Sequence, residues 1–291
     1  MTLDAITWNV DPEIFSIGKL SIRWYGLLFA SAFLAGYMIF SRYLKTKRIS
    51  SEMLDQLLIY IAVGTVIGAR LGHCFFYEPE YFLANPLEIL KVWKGGLASH
   101  GAAIGILLAL WLYVRKHKFS FLWLIDRIVI VVALGGAFIR LGNLFNSEIY
   151  GGATSLPWGF EFVRDRLYDP ITGAILPTVP RHPTQLYEAL SYIAIFLVLF
   201  FYYRKNFEKM RDGFIFGVFM ILLFAARFFI EFVKNDQVAF ESGMKLNMGQ
   251  WLSLPFIAAG VAMILWTKKH PAYFNQSPLP KAPKQGRKAK V

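Results

Sequence analysis

The sequence is short of charge and nearly devoid of cysteine. Only 17% of its 291 residues are Asp, Glu, Lys or Arg, while 56% are hydrophobic and 17% aromatic. An ordinary soluble domain carries about 25% charged residues. The shortage excludes a disordered chain and argues against a water-soluble enzyme. The one cysteine, Cys74, excludes an internal disulfide framework and any multi-cysteine metal or redox site. No Asp/Glu/His cluster suggests a metal, so neither a metal nor a cofactor is expected. Acid is absent from Lys268 to Val291, which holds seven basic residues. The net charge of +12 therefore sits largely in the tail, and no nucleic-acid partner is expected.

What the sequence has is long apolar runs. Crossing a bilayer as a helix takes roughly 20 residues. Seven runs come near that length: Trp24–Phe40, Leu54–Phe76, Gly95–Val114, Phe121–Gly142, Pro183–Tyr203, Gly213–Val233 and Met248–Thr267. The expected fold is an all-α integral membrane protein with seven transmembrane helices. Before the first run, Met1–Arg23 carries Asp4, Asp11, Pro12 and Glu13 rather than a basic start, so no cleaved signal peptide is expected.

Basic residues in short connections stay on the cytoplasmic side during insertion. Eighteen of the 31 Lys and Arg residues fall in alternate connections and the tail, and nine on the opposite side. With seven spans this puts the N-terminus outside and the C-terminus in the cytoplasm. The connection between the fourth and fifth helices, 143–182, carries Pro157, Pro170, Pro177 and Pro180 and reads as a small extracytoplasmic cap. The domain reading is a seven-helix transmembrane domain over 1–267 and a basic Pro/Lys-rich cytoplasmic tail over 268–291. Simple attraction to anionic membrane lipids accounts for that tail.

Four arginines, Arg70, Arg127, Arg140 and Arg227, lie inside or at the edges of apolar runs. A charge there costs at least ~2.5–3.5 kcal/mol on insertion scales and usually faces protein, water or a headgroup. Arg140 and Arg227 fall near the external ends of their spans. Two guanidiniums at similar depth suit a phosphate, because each offers planar bidentate donors and a permanent charge. An ordinary ion pair competes with this reading at Arg227, since Glu231 is four residues on and near the same helix face. Arg70, flanked by small residues, reads as a structural group or a headgroup ligand.

Around Arg140, small residues Gly135-Gly136-Ala137 precede the charge and Asn143, Asn146 and Glu148 crowd beyond it before Gly151. Such crowding suggests a headgroup site or a helix end breaking into the cap. His100 opens the third run among small residues and is a candidate base, or a bystander at the interface. Tyr25, in Arg23-Trp24-Tyr25-Gly26, reads equally as part of an aromatic belt. His182, Gln185 and Glu188 follow three apart at the start of the fifth span and share a face.

Together these segments resemble the bacterial prolipoprotein diacylglyceryl transferase family. The resemblance runs from about Asp11 to Thr267. It rests on Arg23-Trp24-Tyr25-Gly26, His100-Gly101, Arg140–Gly151, Arg181–Glu188, Arg227 with Glu231, and Met248-Gly249-Gln250. It implies transfer of a diacylglyceryl group from phosphatidylglycerol to the lipobox cysteine of a preprolipoprotein signal peptide, in the bacterial cytoplasmic (inner) membrane. It also implies catalytic roles for His100, Arg140, Arg227 and Tyr25, and substrate contacts from Asn143, Asn146, Glu148 and Gly151. Arg70, His182, Gln185 and Glu231 are secondary candidates. The chain departs from the family pattern at Ile139, Leu144 and Ala102, and Leu223 stands where some members have tyrosine. Without the resemblance, an anion transporter ranks close to a lipid-modifying enzyme, and a membrane scaffold leaves the arginines unexplained.

Overall fold

A computed structural model of the chain describes residues 5–18, 20–44, 49–118, 120–165, 175, 177–207, 209–235 and 244–270. Most of the basic tail and part of the cap, including Pro170, lie outside them. The chain divides into two compact units, Met1–Ile39 with Asp126–Pro271, and Phe40–Ile125 with Ala272–Val291.

Among the described residues, six segments are helical, long and apolar enough to cross a membrane: Trp24–Tyr43, Ser51–Phe76, Phe121–Phe145, Thr184–Asn206, Phe214–Val233 and Met248–Lys269. These coincide with six of the seven expected runs. The third run also forms a helix, Ser99–His117, but its ends are polar: Ser99-His100 at the start and Arg115-Lys116-His117 at the finish. The apolar part, Gly101–Val114, is about 21 Å long at 1.5 Å per residue.

The first unit opens with short strands that the apolar pattern did not suggest. Strand β1 (Ile6–Trp8) lies parallel to β4 (Phe160–Phe162), with Ile6 opposite Phe160 and Trp8 opposite Phe162. Strands β2 (Glu13–Ile17) and β3 (Leu20–Arg23) form an antiparallel hairpin whose turn uses Gly18 at φ 61°, a region open to a residue without Cβ. This head is tied to the end of a membrane helix, α5 (Phe121–Phe145). Leu144, Phe160 and Phe162 form a buried cluster with Trp8, Tyr150 and Leu186 against it, and Trp8 Nε1 donates to the Leu144 carbonyl at 3.0 Å.

Helix α1 (Trp24–Ile39) has no buried residue, as suits a helix facing lipid. Helices α6 (Thr184–Asn206), α7 (Phe214–Ile230) and α8 (Met248–Lys269) complete the unit. Asp126 on α5 is fully buried, and its carboxylate accepts from the Gly213 and Phe216 amides at 2.7 and 2.8 Å. It thus caps the N-terminus of α7 from another helix, satisfying donors that α7 cannot pair itself. Helix α8 starts with a reciprocal capping box between Asn247 and Gln250. Phe224 and Phe256 stack between α7 and α8 at 4.3 Å.

The second unit is built on α2 (Ser51–Phe76) and α4 (Ser99–His117), joined through α3 (Pro79–Ala84) and two tight turns, Pro86–Leu90 and Val92–Lys94. A seam of small residues joins the two long helices. Gly64, Gly68 and Gly72 of α2 meet Gly101, Gly105 and Ala109 of α4. A Cβ at Gly72 would lie 2.7 Å from the Gly101 Cα, and one at Gly64 2.7 Å from the Ala109 Cβ. The four-residue spacing keeps these residues on one face of each helix, where they let the backbones touch. Cys74 is fully buried in α2.

Candidate active site

Most of the residues singled out in the sequence converge in the first unit, around the end of α5. Small residues make room for neighbours on both sides of Arg140. A Cβ at Gly136 would lie 2.9 Å from the Tyr192 ring of α6, and one at Gly142 2.7 Å from the Tyr25 ring of α1. Tyr192 lies where it feels the charges of both Arg140 and Arg227. Tyr25 is close enough to sense both Arg140 and Glu148.

Arg140 anchors a chain of charges. Its Nε lies 2.9 Å from Glu188 Oε2, and its Nη1 donates to Asn143 Oδ1 at 3.4 Å. Glu188 is fully buried, while 19% of the Arg140 side chain stays exposed. The other Glu188 oxygen, Oε1, is taken by Lys234 Nζ at 3.0 Å. Lys234 also lies 3.6 Å from Glu231 Oε2. Burying a carboxylate is costly unless cations meet it, and Glu188 has one on each oxygen.

Arg227 stands apart from this chain. Glu231 is four residues on, where a helical ion pair forms readily. It turns instead to Lys234, because α7 tightens into a short turn over Glu231–Val233 that brings Lys234 beneath it. Gly249 of α8 leaves space for the carboxylate: a Cβ there would lie 2.6 Å from Glu231 Cδ. Among the described residues Arg227 makes no ion pair, and its buried Nε has no hydrogen-bond partner. The expected alternative of an Arg227–Glu231 pair is therefore not the arrangement found.

Beyond Arg140 the chain doubles back in a strained turn. Ser147 and Ile149 adopt φ 55° and 60°, the left-handed region, which costs an L-residue about 1–2 kcal/mol each. Compensating bonds hold them. Glu148 Oε1 accepts from Asn143 Nδ2 at 2.8 Å and Asn146 Nδ2 at 3.1 Å. Gln185 Nε2 donates to the Glu148 carbonyl at 2.6 Å, and Thr184 Oγ1 to the Ile149 carbonyl at 2.9 Å. Strain kept in place by surrounding bonds is typical of sites where position matters.

Gly151 closes this turn where three strands of backbone cross. Its amide donates to the His182 carbonyl at 2.8 Å, and Gly152 donates to the Val233 carbonyl at 2.9 Å. A Cβ on Gly151 would lie 2.8 Å from both His182 Cβ and Thr184 Cγ2 and collide with the Val233 carbonyl. Gly151 thus couples the Asn143–Glu148 turn to the segment bearing Lys234. His182 does not share the inward face of Gln185 and Glu188, because it precedes the first turn of α6. Its Nδ1 lies 3.3 Å from the Tyr187 hydroxyl, which also accepts from Trp158 Nε1 at 3.0 Å.

The remaining two candidates belong to the second unit. Arg70 is buried and spends its guanidinium on backbone carbonyls: Glu88 and Gly95 at 2.6 Å, Ile89 at 3.0 Å and Gly96 at 3.3 Å. It also lies 4.8 Å over the Phe82 ring. These contacts make it a clamp on the 86–96 connection rather than a headgroup ligand. His100 is exposed in the first turn of α4, with its ring centroid 5.1 Å from Phe76 and 5.8 Å from Tyr77.

Sequence reasoning passed over Glu188 and Lys234 as site residues. The first was visible as an acid within an apolar run, three residues after Gln185. The second was counted only as one of nine external basic residues, although it stands three residues after Glu231.

The model of the prolipoprotein diacylglyceryl transferase family matches residues 12–266, nearly the whole chain. The chain belongs to that family. The transferase is a multi-pass membrane enzyme of lipoprotein biogenesis that moves a diacylglyceryl group onto a prolipoprotein. It is 50% identical over 266 residues to the phosphatidylglycerol–prolipoprotein diacylglyceryl transferase of Tolumonas auensis, covering 91% of this chain and 98% of that protein. Proteins of the same name from Porphyromonas gingivalis and Chloroherpeton thalassium are 44% and 43% identical. They cover 93% and 92% of this chain, and 98% and 96% of their own lengths.

Proposed function

We propose that the transferase takes its diacylglyceryl group from phosphatidylglycerol and joins it to the lipobox cysteine of a preprolipoprotein signal peptide. The cysteine sulfur forms a bond to the glyceryl carbon of the lipid. The bond from that carbon to the phosphate oxygen breaks with its electron pair going to oxygen, and the thiol proton leaves to a base. The products are a thioether-linked diacylglyceryl protein and glycerol 1-phosphate.

The observation that carries this reading is the combination of a partly exposed Arg140 with an Arg227 that, among the described residues, meets no carboxylate. As the C–O bond breaks, the phosphate passes from one negative charge toward two. Guanidiniums held in place before the reaction stabilise that growing charge without reorganising, in a site where contacts are worth more than in water. Asn143, Asn146 and Glu148 fix the turn beside Arg140, with Gly151 giving it room, and Tyr25 lines it from α1. Glu231 and Gln185 support that geometry. His100 is the proposed base for the thiol, whose ordinary pKa of about 8.5 leaves little thiolate at neutral pH.

In this reading α4 also crosses the membrane, as the seventh span, with its polar ends at the two interfaces. The excess of basic residues on one side supports an external N-terminus and a cytoplasmic C-terminus in the bacterial inner membrane. The 143–182 segment then forms the extracytoplasmic cap. The experiment is direct. Purified protein is mixed with phosphatidylglycerol vesicles and a lipobox peptide, and the product is weighed by mass spectrometry. The expected result is a diacylglyceryl adduct on the cysteine with equimolar glycerol 1-phosphate. An unmodified peptide, or equal transfer from phosphatidylcholine, contradicts the proposal.

A further inference from the structure

We propose that Lys234 is the positioning residue that keeps Arg227 available for the lipid phosphate, by holding Glu231 and Glu188 in its own ion pairs. The inference deepens the reading of the Arg140–Arg227 site and rests on it.

Three observations carry it. First, Lys234 is 97% buried by its side chain, since only 3% remains exposed, and its Nζ lies 3.0 Å from Glu188 and 3.6 Å from Glu231. A lysine buried to that extent is costly and is kept only where its partners are fixed. Second, the carboxylate best placed along α7 to neutralise Arg227 is Glu231, and it is turned to Lys234 instead. Third, the backbone holds Lys234 independently of its charge. Its amide donates to the Glu231 carbonyl at 3.2 Å, and its backbone forms a bridge with Gly151. The lysine is thus tied to the same crossing that shapes the Asn143–Glu148 turn.

The charges make the consequence definite. Arg140, Arg227 and Lys234 face Glu188, Glu231 and, across Asn143, Glu148, so loss of the Lys234 charge leaves the site one unit more negative toward a phosphodiester that is itself negative. With Lys234 neutral, Glu231 loses its partner, and the nearest cation on its own helix face is Arg227. The site then neutralises itself and the phosphate has no unclaimed guanidinium. Lysine serves here as a compact point charge able to lie between two carboxylates, whereas a bidentate arginine commits its fork to one.

The test uses the full-length enzyme in phosphatidylglycerol vesicles with a lipobox peptide. Four forms are compared: wild type, Lys234→Met, Lys234→Arg and the double variant Lys234→Met with Glu231→Gln. Lys234→Met is expected to raise KM for phosphatidylglycerol and lower kcat/KM by roughly ten- to a hundredfold, as loss of a charge-assisted contact does. Lys234→Arg keeps the charge but commits its fork to one of the two carboxylates, so its kcat/KM falls between those of wild type and Lys234→Met. The double variant removes one charge of each sign, so it returns the site to its wild-type net charge and frees Arg227, and it recovers most of the lost kcat/KM although it carries one more substitution. A purely structural lysine makes the double variant equal to or worse than the single one. Failure of the double variant to recover, or full activity in Lys234→Met, overturns the inference. Absence of product from the wild type contradicts instead the phosphatidylglycerol reading on which it rests.

Discussion

Arg140 and Glu188 form an ion pair in which the carboxylate is fully buried and the guanidinium is not. Their 2.9 Å contact occupies Nε, the edge of the guanidinium nearest its own helix, while Nη1 donates to Asn143. The carboxylate fixes the arginine without covering it. That separates holding the charge from using it, and it explains why a costly buried acid stands in an apolar helix.

Gly151 is required by space rather than by flexibility. Gly151→Ala is expected to push apart the Val233, His182 and Thr184 segments. Overpacking of this kind costs about 1–3 kcal/mol. Activity should fall by at least tenfold while the protein still folds, measured as turnover alongside the thermal unfolding midpoint. Unchanged turnover in Gly151→Ala contradicts the crossing as the element that sets the Asn143–Glu148 turn.

Arg70 acts on the loop and not on the lipid. Arg70→Lys removes the planar set of donors that reaches four carbonyl oxygens. Hydrogen exchange of the 86–96 amides should rise several fold, and KM for phosphatidylglycerol should stay within about twofold of wild type. A large rise in KM with unchanged exchange contradicts the clamp and favours a headgroup role.

In the same loop, the hydrogen bonds from Lys91 and Lys94 hold the Glu88 carboxyl down at about 2, against an ordinary 4.5. A depressed carboxylate lends stability that is present above pH 4.5 and lost as pH falls toward 2. Because Glu88 lies at the surface, the effect is local. The Glu88 carboxyl carbon, followed by NMR, should titrate near pH 2 in wild type and move toward 4.5 in Lys91→Met with Lys94→Met. Titration near 4.5 in wild type contradicts the pairing.

The membrane helices were legible because a long apolar run has few alternatives to a buried helix. The strands of the head were not. Ile6–Trp8 and Phe160–Phe162 are three residues each and pair across more than 150 positions, and nothing local announces such a partner. Arg140, Asn143 and Glu148 were legible because polar groups at a membrane edge stand out against their surroundings. Lys234 was not, because its sequence position is that of an ordinary connection, and only the short turn after α7 carries it inward to Glu231 and Glu188. Arg70 shows the reverse: an arginine in an apolar run draws attention as a ligand, while its four carbonyl partners lie 18 to 26 residues away. The glycines of α2 and α4 lie at four-residue spacing, a pattern readable in sequence once the two helices are known to be neighbours.

The central claim is that Arg140 and Arg227 stabilise the phosphate as it leaves. It is tested most directly by kcat/KM for phosphatidylglycerol in Arg140→Ala and in Arg227→Ala, each in protein that keeps the wild-type unfolding midpoint. Removing one preorganised donor to a developing oxyanion typically costs roughly a hundred- to a thousandfold, and a loss of that size is predicted for each variant. Wild-type kcat/KM in either one contradicts the account.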